Sequence, residues 1–276
     1  MNPEEYASTN MLQRSNVLNL IDEFEEELIQ ISGKCMDVGC GPGDTMKDIL
    51  LPALNPNAVI LEGTDISEDM IEFAKKTYGS NKRLKFEVLD IQTKNLPKKY
   101  ISGFDHIFSF YTLHWCYDIR QAFENIYNML RPNGNILVNL VAFHDVHDIM
   151  NNLLRDIRFA PYIDEIKNYV APYNNSSYPH KELKNILKNI GFKVCHCSLR
   201  ETAYSSKDSG NFISSIISVC SFLNNMPHDL IEEYKNKLTC EFVKRKILYT
   251  TTQNNQEQTF VLDIYTYLVV YAQKSV

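Results

Sequence analysis

The sequence predicts an α/β fold: a mostly parallel sheet of seven strands, helices on both faces, and a cap of helical insertions over its carboxyl edge. Three observations carry this. Short apolar runs alternate with amphipathic stretches from residue 33 to 141, the rhythm of parallel strands joined by crossover helices. A glycine-rich turn separates the first strand from the first helix of that region. Past residue 141 the alternation gives way to helix-like stretches at 144–169 and 210–245.

In chain order, residues 34–38 form a short apolar strand that enters the glycine turn, and 44–51 form the helix behind it, stopped by Pro52. A second strand covers 59–63. Ser67 then caps a helix running to Tyr78, with Glu68 and Asp69 in its first turn, where acids suit the helix dipole. Strands follow at 84–89 and 104–110. Residues 118–130 are amphipathic, with Ile119, Ala122, Phe123, Ile126, Met129 and Leu130 on one stripe. Arg131-Pro132-Asn133-Gly134 reads as a turn into a fifth strand at 135–141. A helix at 181–190, closed by Gly191, leads into a strand at 192–199, and the β-branched and aromatic run at 260–273 is the last strand.

With 28 basic and 34 acidic residues, a net charge of −6, the chain has no field that favours nucleic acid or an anionic membrane. A small-molecule partner fits that balance. No run approaches the ~20 apolar residues of a membrane span, and the first ten residues lack the features of a signal peptide. The seven cysteines show no paired spacing, as expected of reduced thiols in the cytoplasm.

The turn reads Asp37-Val38-Gly39-Cys40-Gly41-Pro42-Gly43. Glycines there allow a tight turn and let the backbone approach a ligand. A dinucleotide fingerprint needs a third glycine at position 44, where this chain has Asp44. The charges also separate the ligands: acids repel a pyrophosphate, whereas S-adenosylmethionine (SAM) brings an ammonium and a sulfonium that Asp37 can stabilise. Asp65-Ile66 ends the second strand, placing a carboxylate for both ribose hydroxyls. Asp90-Ile91 ends the third, setting an acid by the adenine amino group and an apolar side chain against the ring. Read singly, each Asp is also an ordinary turn or cap residue. Three acids at successive strand ends are the stronger sign. This pattern is similar to that of the SAM-dependent methyltransferases, whose Rossmann-like fold covers roughly 33–141. The cofactor contacts expected on that basis are Asp37, Gly39, Cys40, Gly41, Gly43, Asp65, Ile66, Asp90, Ile91 and Ser109, with no metal.

The fourth strand runs into Ser109-Phe110-Tyr111-Thr112-Leu113-His114-Trp115. Ligands of open α/β sheets sit beyond the carboxyl ends of the strands, so this loop faces the transferable methyl. Trp115, the only tryptophan, offers a donor and no acceptor; core packing is its plain alternative. Together with Asn10-Met11-Leu12-Gln13-Arg14, the glycine turn and Leu113-His114-Trp115, the chain resembles the insect juvenile hormone acid methyltransferases over nearly its whole length. Ser15-Asn16 depart from that likeness, standing where it leads one to expect an acidic residue.

The resemblance implies that Gln13 and Trp115 hold a substrate carboxylate, with farnesoic acid or juvenile hormone acid as acceptor. The chemistry agrees. A carboxylic acid with a pKa near ~4.3 is ionised at neutral pH and needs no base, so the enzyme's task is alignment. Charge cancels as the anion attacks the methyl, and a cationic clamp would favour the ground state. Neutral donors orient without that cost. His114 is then a lining residue, a packing residue or, for another acceptor, a base.

One domain is expected: a SAM-binding core at 33–141, insertions at 142–180 and 205–246 capping the acceptor, and an N-terminal helix within 1–30 closing the site. Aromatic and aliphatic residues of the insertions, from Phe159, Tyr162, Tyr169 and Tyr173 to Phe212 and Phe222, form either a core face or the wall for an apolar tail. His144-Asp145-Val146-His147-Asp148 and Cys195-His196-Cys197 bring metal-type residues together without a full ligand set. A SAM enzyme for a phenol or amine, and a SAM-binding paralogue without turnover, are the rival readings.

Overall fold

The computed structural model describes residues 1–54, 59–162, 171–207, 210–253 and 256–275. The amino-terminal segment is three short helices, α1 (Pro3–Thr9), α2 (Met11–Glu23) and α3 (Glu25–Leu28), where the sequence predicts one. Asn10 sits at the first break and Phe24 at the second. There follow β1 (Gly33–Val38), a π turn at Met46–Leu50 leading into α4 (Leu51–Ala53), β2 (Val59–Asp65), α5 (Glu68–Tyr78), β3 (Leu84–Val88), β4 (Phe104–Phe110), α6 (Ile119–Met129) and β5 (Leu130–Phe143). The remainder is α7 (Asp145–Leu153), α8 (Pro179–Ile190), β6 (Phe192–Ser206), α9 (Gly210–Val219), α10 (His228–Lys244), β7 (Ile247–Gln253) and β8 (Gln256–Lys274).

The strand order is β3-β2-β1-β4-β5-β8-β6, and β7 pairs with β8 alone. The first five strands are parallel, and β8 runs antiparallel to β5, β6 and β7. The sheet therefore has eight strands where the sequence predicts seven. The addition, β7, lengthens a three-stranded arm rather than the main sheet, and Ile247 and Leu248 on it stay exposed. The turn expected at 131–134 is a bulge inside β5, where the pairing with β4 slips between Phe104 and His106.

Local chemistry explains the helices that frame the site. Ser67 Oγ accepts from Met70 N at the start of α5, and Asp118 Oδ1 accepts from Gln121 N at the start of α6. Gly191, at φ +121°, ends α8 in a conformation that side chains resist. One face of the sheet is covered by α6 and α8 through Phe123, Ile126, Leu183 and Leu187. The other is covered by α2, α3 and α5 through Leu20, Leu28 and Ile71. A third cluster, including Ile149, Phe159, Ile217, Phe222, Tyr234 and Leu238, packs α7, α9 and α10 on each other over the carboxyl edge. Tyr169 and its neighbours, part of a predicted helix, lie outside the described residues.

Candidate active site

Between β1 and β4 the strand order reverses, and there the carboxyl ends of the strands open into a crevice. A cavity of about 500 Å³ occupies it, walled by α1 and α2, the loops after β1 to β4, and the helices of the cap. Every residue predicted for the site lines this cavity except Gly43 and Ser109. Gly43, at φ +84°, has Phe86 and Ala74 where a Cβ would stand, so its role is packing against β3 and α5. Ser109, expected among the cofactor contacts, is fully buried and donates to Val38 O at 2.9 Å. Its hydroxyl is spent inside the sheet.

At the turn, Gly39 (φ +76°) lies against Thr112, which a Cβ there would strike at 2.0 Å. Thr112 Oγ1 donates to Gly39 O at 3.0 Å, tying the loop after β4 to the turn after β1. Gly41 (φ +54°) is different: a Cβ there would meet only the edge of Tyr6 at 3.7 Å, so its missing side chain leaves the ligand its room.

Three acids surround that room. Asp37 is buried, and its Oδ1 has no hydrogen-bond partner among the described residues. Burial, then the charges of Asp65 and Asp44, push its carboxyl up to about 7. Asp65 Oδ2 accepts from Gly41 N at 3.0 Å and Oδ1 from Ser67 N at 2.9 Å. Burial also raises Asp65, against the pull of those amides. Asp90 Oδ1 accepts from Gln92 N, with Ile91 beside it in the lining. A buried orphan carboxylate oxygen and mutually repelling acids around an open glycine fit a cationic cofactor with a ribose and a base. The residues present suit SAM: Asp37 would meet its ammonium, Asp65 its ribose, and Asp90, Ile91 and Ile66 its base.

Asp44, the residue that breaks the dinucleotide fingerprint, has its own partners. Its Oδ2 accepts from Asn10 Nδ2 at 2.9 Å and pairs with Arg14 Nη1 at 2.6 Å, while Arg14 Nη2 reaches Asp48 at 3.1 Å. Arg14 thus faces the turn and not the acceptor, as expected of a helical neighbour of Gln13.

On the acceptor side, Gln13 donates to Ser215 Oγ of α9 at 3.3 Å, and its Oε1 is buried without a partner among the described residues. Trp115 ends a short 3₁₀ turn at Leu113–Trp115 and packs against the cap cluster. No acceptor for its indole N–H lies among the described residues. His114 and His147 place their rings 5.0 and 5.3 Å from Trp115. Burial, then the neighbouring His147 and His144, hold His114 well below the ordinary imidazole range, so the ring is neutral. His144 caps α7 by accepting from Val146 N at Nδ1, and its Nε2 lies 2.9 Å from Asp263. Lys246 completes that cluster, 2.6 Å from Asp263 and 2.9 Å from Asp145. Among the described residues no three His, Cys, Asp or Glu side chains are grouped to hold a metal.

Sequence reasoning missed Tyr6, Tyr111, Tyr265, Ser215 and His147 in the lining. Asp44 carried a usable signal, an acid where the motif wants glycine. Tyr265 on the last strand carried none.

Comparison with known proteins agrees with this site. A family model described as "Methyltransferase domain" matches residues 36–136. The juvenile hormone acid O-methyltransferase of Drosophila melanogaster is 31% identical, covering 98% of this chain and 91% of its own length. The chain belongs to the juvenile hormone acid O-methyltransferase family. The Bombyx mori enzyme of the same name is 30% identical over 99% of this chain and 97% of its own. As a member of this family the protein is a SAM-dependent carboxyl O-methyltransferase. Among solved structures, a Haemonchus contortus phosphoethanolamine N-methyltransferase, in complex with S-adenosylhomocysteine, shares the fold with a TM-score of 0.52 and 15% identity, covering 94% of this chain and 53% of that one.

Proposed function

We propose that this member of the juvenile hormone acid O-methyltransferase family esterifies the carboxylate of an apolar isoprenoid acid, farnesoic acid or juvenile hormone acid. One observation carries the reading: Gln13 and Trp115 line a single cavity with the three acids at the strand ends, and among the described residues no Lys or Arg side chain lines it. SAM supplies the methyl group. The side chains do the rest. Gln13 and Trp115 offer N–H donors that orient the carboxylate while leaving its attacking oxygen no cation to escape. Leu12, Val17, Val141, Val146, Phe212 and Ile216 supply an apolar wall for the tail. A phenol or amine acceptor would need a base, and His114 is held too far below its ordinary range to take a proton well.

The test is methyl transfer from labelled SAM to farnesoic acid, juvenile hormone acid, saturated fatty acids and an aromatic acid, with the ester identified. Turnover on the isoprenoid acids is expected. Gln13→Ala and Trp115→Ala should each lower kcat/KM by roughly 10- to 100-fold, the worth of a hydrogen bond to a charged group, with SAM affinity kept. Measurable SAM binding without an ester from any acid would sink the acceptor assignment.

A further inference from the structure

Three side chains from distant parts of the chain meet beside the cavity, two of them, Tyr111 and Tyr265, in its lining. Asn16, one turn past Gln13 on α2, places its amide nitrogen 2.8 Å from Tyr111 Oη and 2.7 Å from Tyr265 Oη. The two phenol oxygens lie 3.1 Å apart. The hydrogens of this triangle can be counted. Asn16 brings two N–H groups and spends one on each oxygen. One phenol then donates to the other, whose two lone pairs are thereby filled. One phenol hydrogen is left over, and no acceptor for it lies among the described residues.

Two observations point to Tyr111 as its holder. Tyr265 is only 2% exposed, whereas Tyr111 lies on the more open loop that also carries Trp115. Tyr111 also has a left-handed backbone, φ +53°, rare for a bulky residue, and its N–H is held by Asn139 Oδ1 at 2.9 Å. The loop keeps this conformation at an energetic cost, which marks the side chain's direction as specified.

We propose that Tyr111 presents this spare hydrogen to the acceptor's carboxylate, a third neutral donor beside Gln13 and Trp115. The proposal rests on the carboxylate reading above. Asn16 is the positioning residue: by donating to both oxygens it turns the pair from an acceptor-rich couple into one with a hydrogen to give.

The experiment is binding of a C15 isoprenoid acid, and of the alcohol with the same skeleton, to the full chain loaded with S-adenosylhomocysteine. Wild type, Tyr111→Phe and Tyr265→Phe are compared by calorimetry. Tyr111→Phe should weaken the acid about tenfold, about 1.4 kcal/mol, and leave the alcohol within about twofold. Tyr265→Phe removes one phenol but not the spare hydrogen on Tyr111, so the preference for acid over alcohol should survive it. An undiminished preference in Tyr111→Phe, or equal losses for acid and alcohol, would overturn the proposal. If wild type itself shows no preference for the acid, the carboxylate reading fails and the proposal with it.

Discussion

Asp37 bears the electrostatic cost of burial among other acids at the glycine turn. Its carboxyl sits at about 7 in the folded chain, against an ordinary 3.8. Between those values the folded state keeps a proton that the unfolded state has lost, so raising the pH from about 4 to 7 removes stability. The ligand-free protein should therefore melt at a lower temperature at pH 8 than at pH 5.5, as far as Asp37 governs it. On the proposal that Asp37 meets SAM as a carboxylate, the cofactor's affinity should rise over the same window, and titration calorimetry at pH 6 and 8 would show proton release on binding at the lower pH. Asp37→Asn should raise the melting temperature of the ligand-free protein at pH 8 while weakening SAM, a separation of stability from function. Residues of this kind were legible because their signal is local: three acids at three strand ends and a turn of glycines. The Asn16, Tyr111 and Tyr265 cluster was not, since its members come together across separations of 95 and 249 residues.

At the scale of elements, the cap is held to the sheet by charge as well as by packing. His144 at the start of α7 and Lys246 just past α10 both engage Asp263 of β8. Burial pushes Asp263 up, yet His144 and Lys246 outweigh it and keep the carboxyl below its ordinary range. Lys246 is 2% exposed and Asp263 5%, so removing one partner strands a buried charge. Lys246→Met should cost about 3–5 kcal/mol, read as a drop in Tm of roughly 10 °C, and Lys246→Arg should restore part of it. Leu238→Ala, in the apolar layer beneath, should cost about 2–5 kcal/mol by leaving a cavity. The alternation of strands and helices made the core elements readable. The ion cluster and β7 were not, because neither follows a local period: β7 gains its partners from an extension of β8, beyond the strand predicted at 260–273, that leaves the main sheet.

Across the whole molecule, the amino-terminal helices wall the candidate site and brace its glycine turn. Asn10 and Arg14 of this segment hold Asp44 of that turn, and between them Gln13 lines the cavity. Arg14→Ala should loosen α2, seen as faster amide exchange over residues 11–23 with the sheet unchanged. Its SAM Kd and acid KM should rise together, where Gln13→Ala raises only the second. No helix among the described residues is long and apolar enough to cross a membrane. The Asp44 contacts also tie the glycine turn to α2. On the proposed placement of the acid, a turn settled around its cofactor steadies the helix that receives the acid, and by reciprocity the acid tightens the cofactor by the same factor. Calorimetry should therefore show S-adenosylhomocysteine lowering the Kd of the acid, and the acid lowering that of S-adenosylhomocysteine, to the same extent; independent affinities would count against it. A single carboxylate in a glycine's place would then make each of the two substrates an effector of the other.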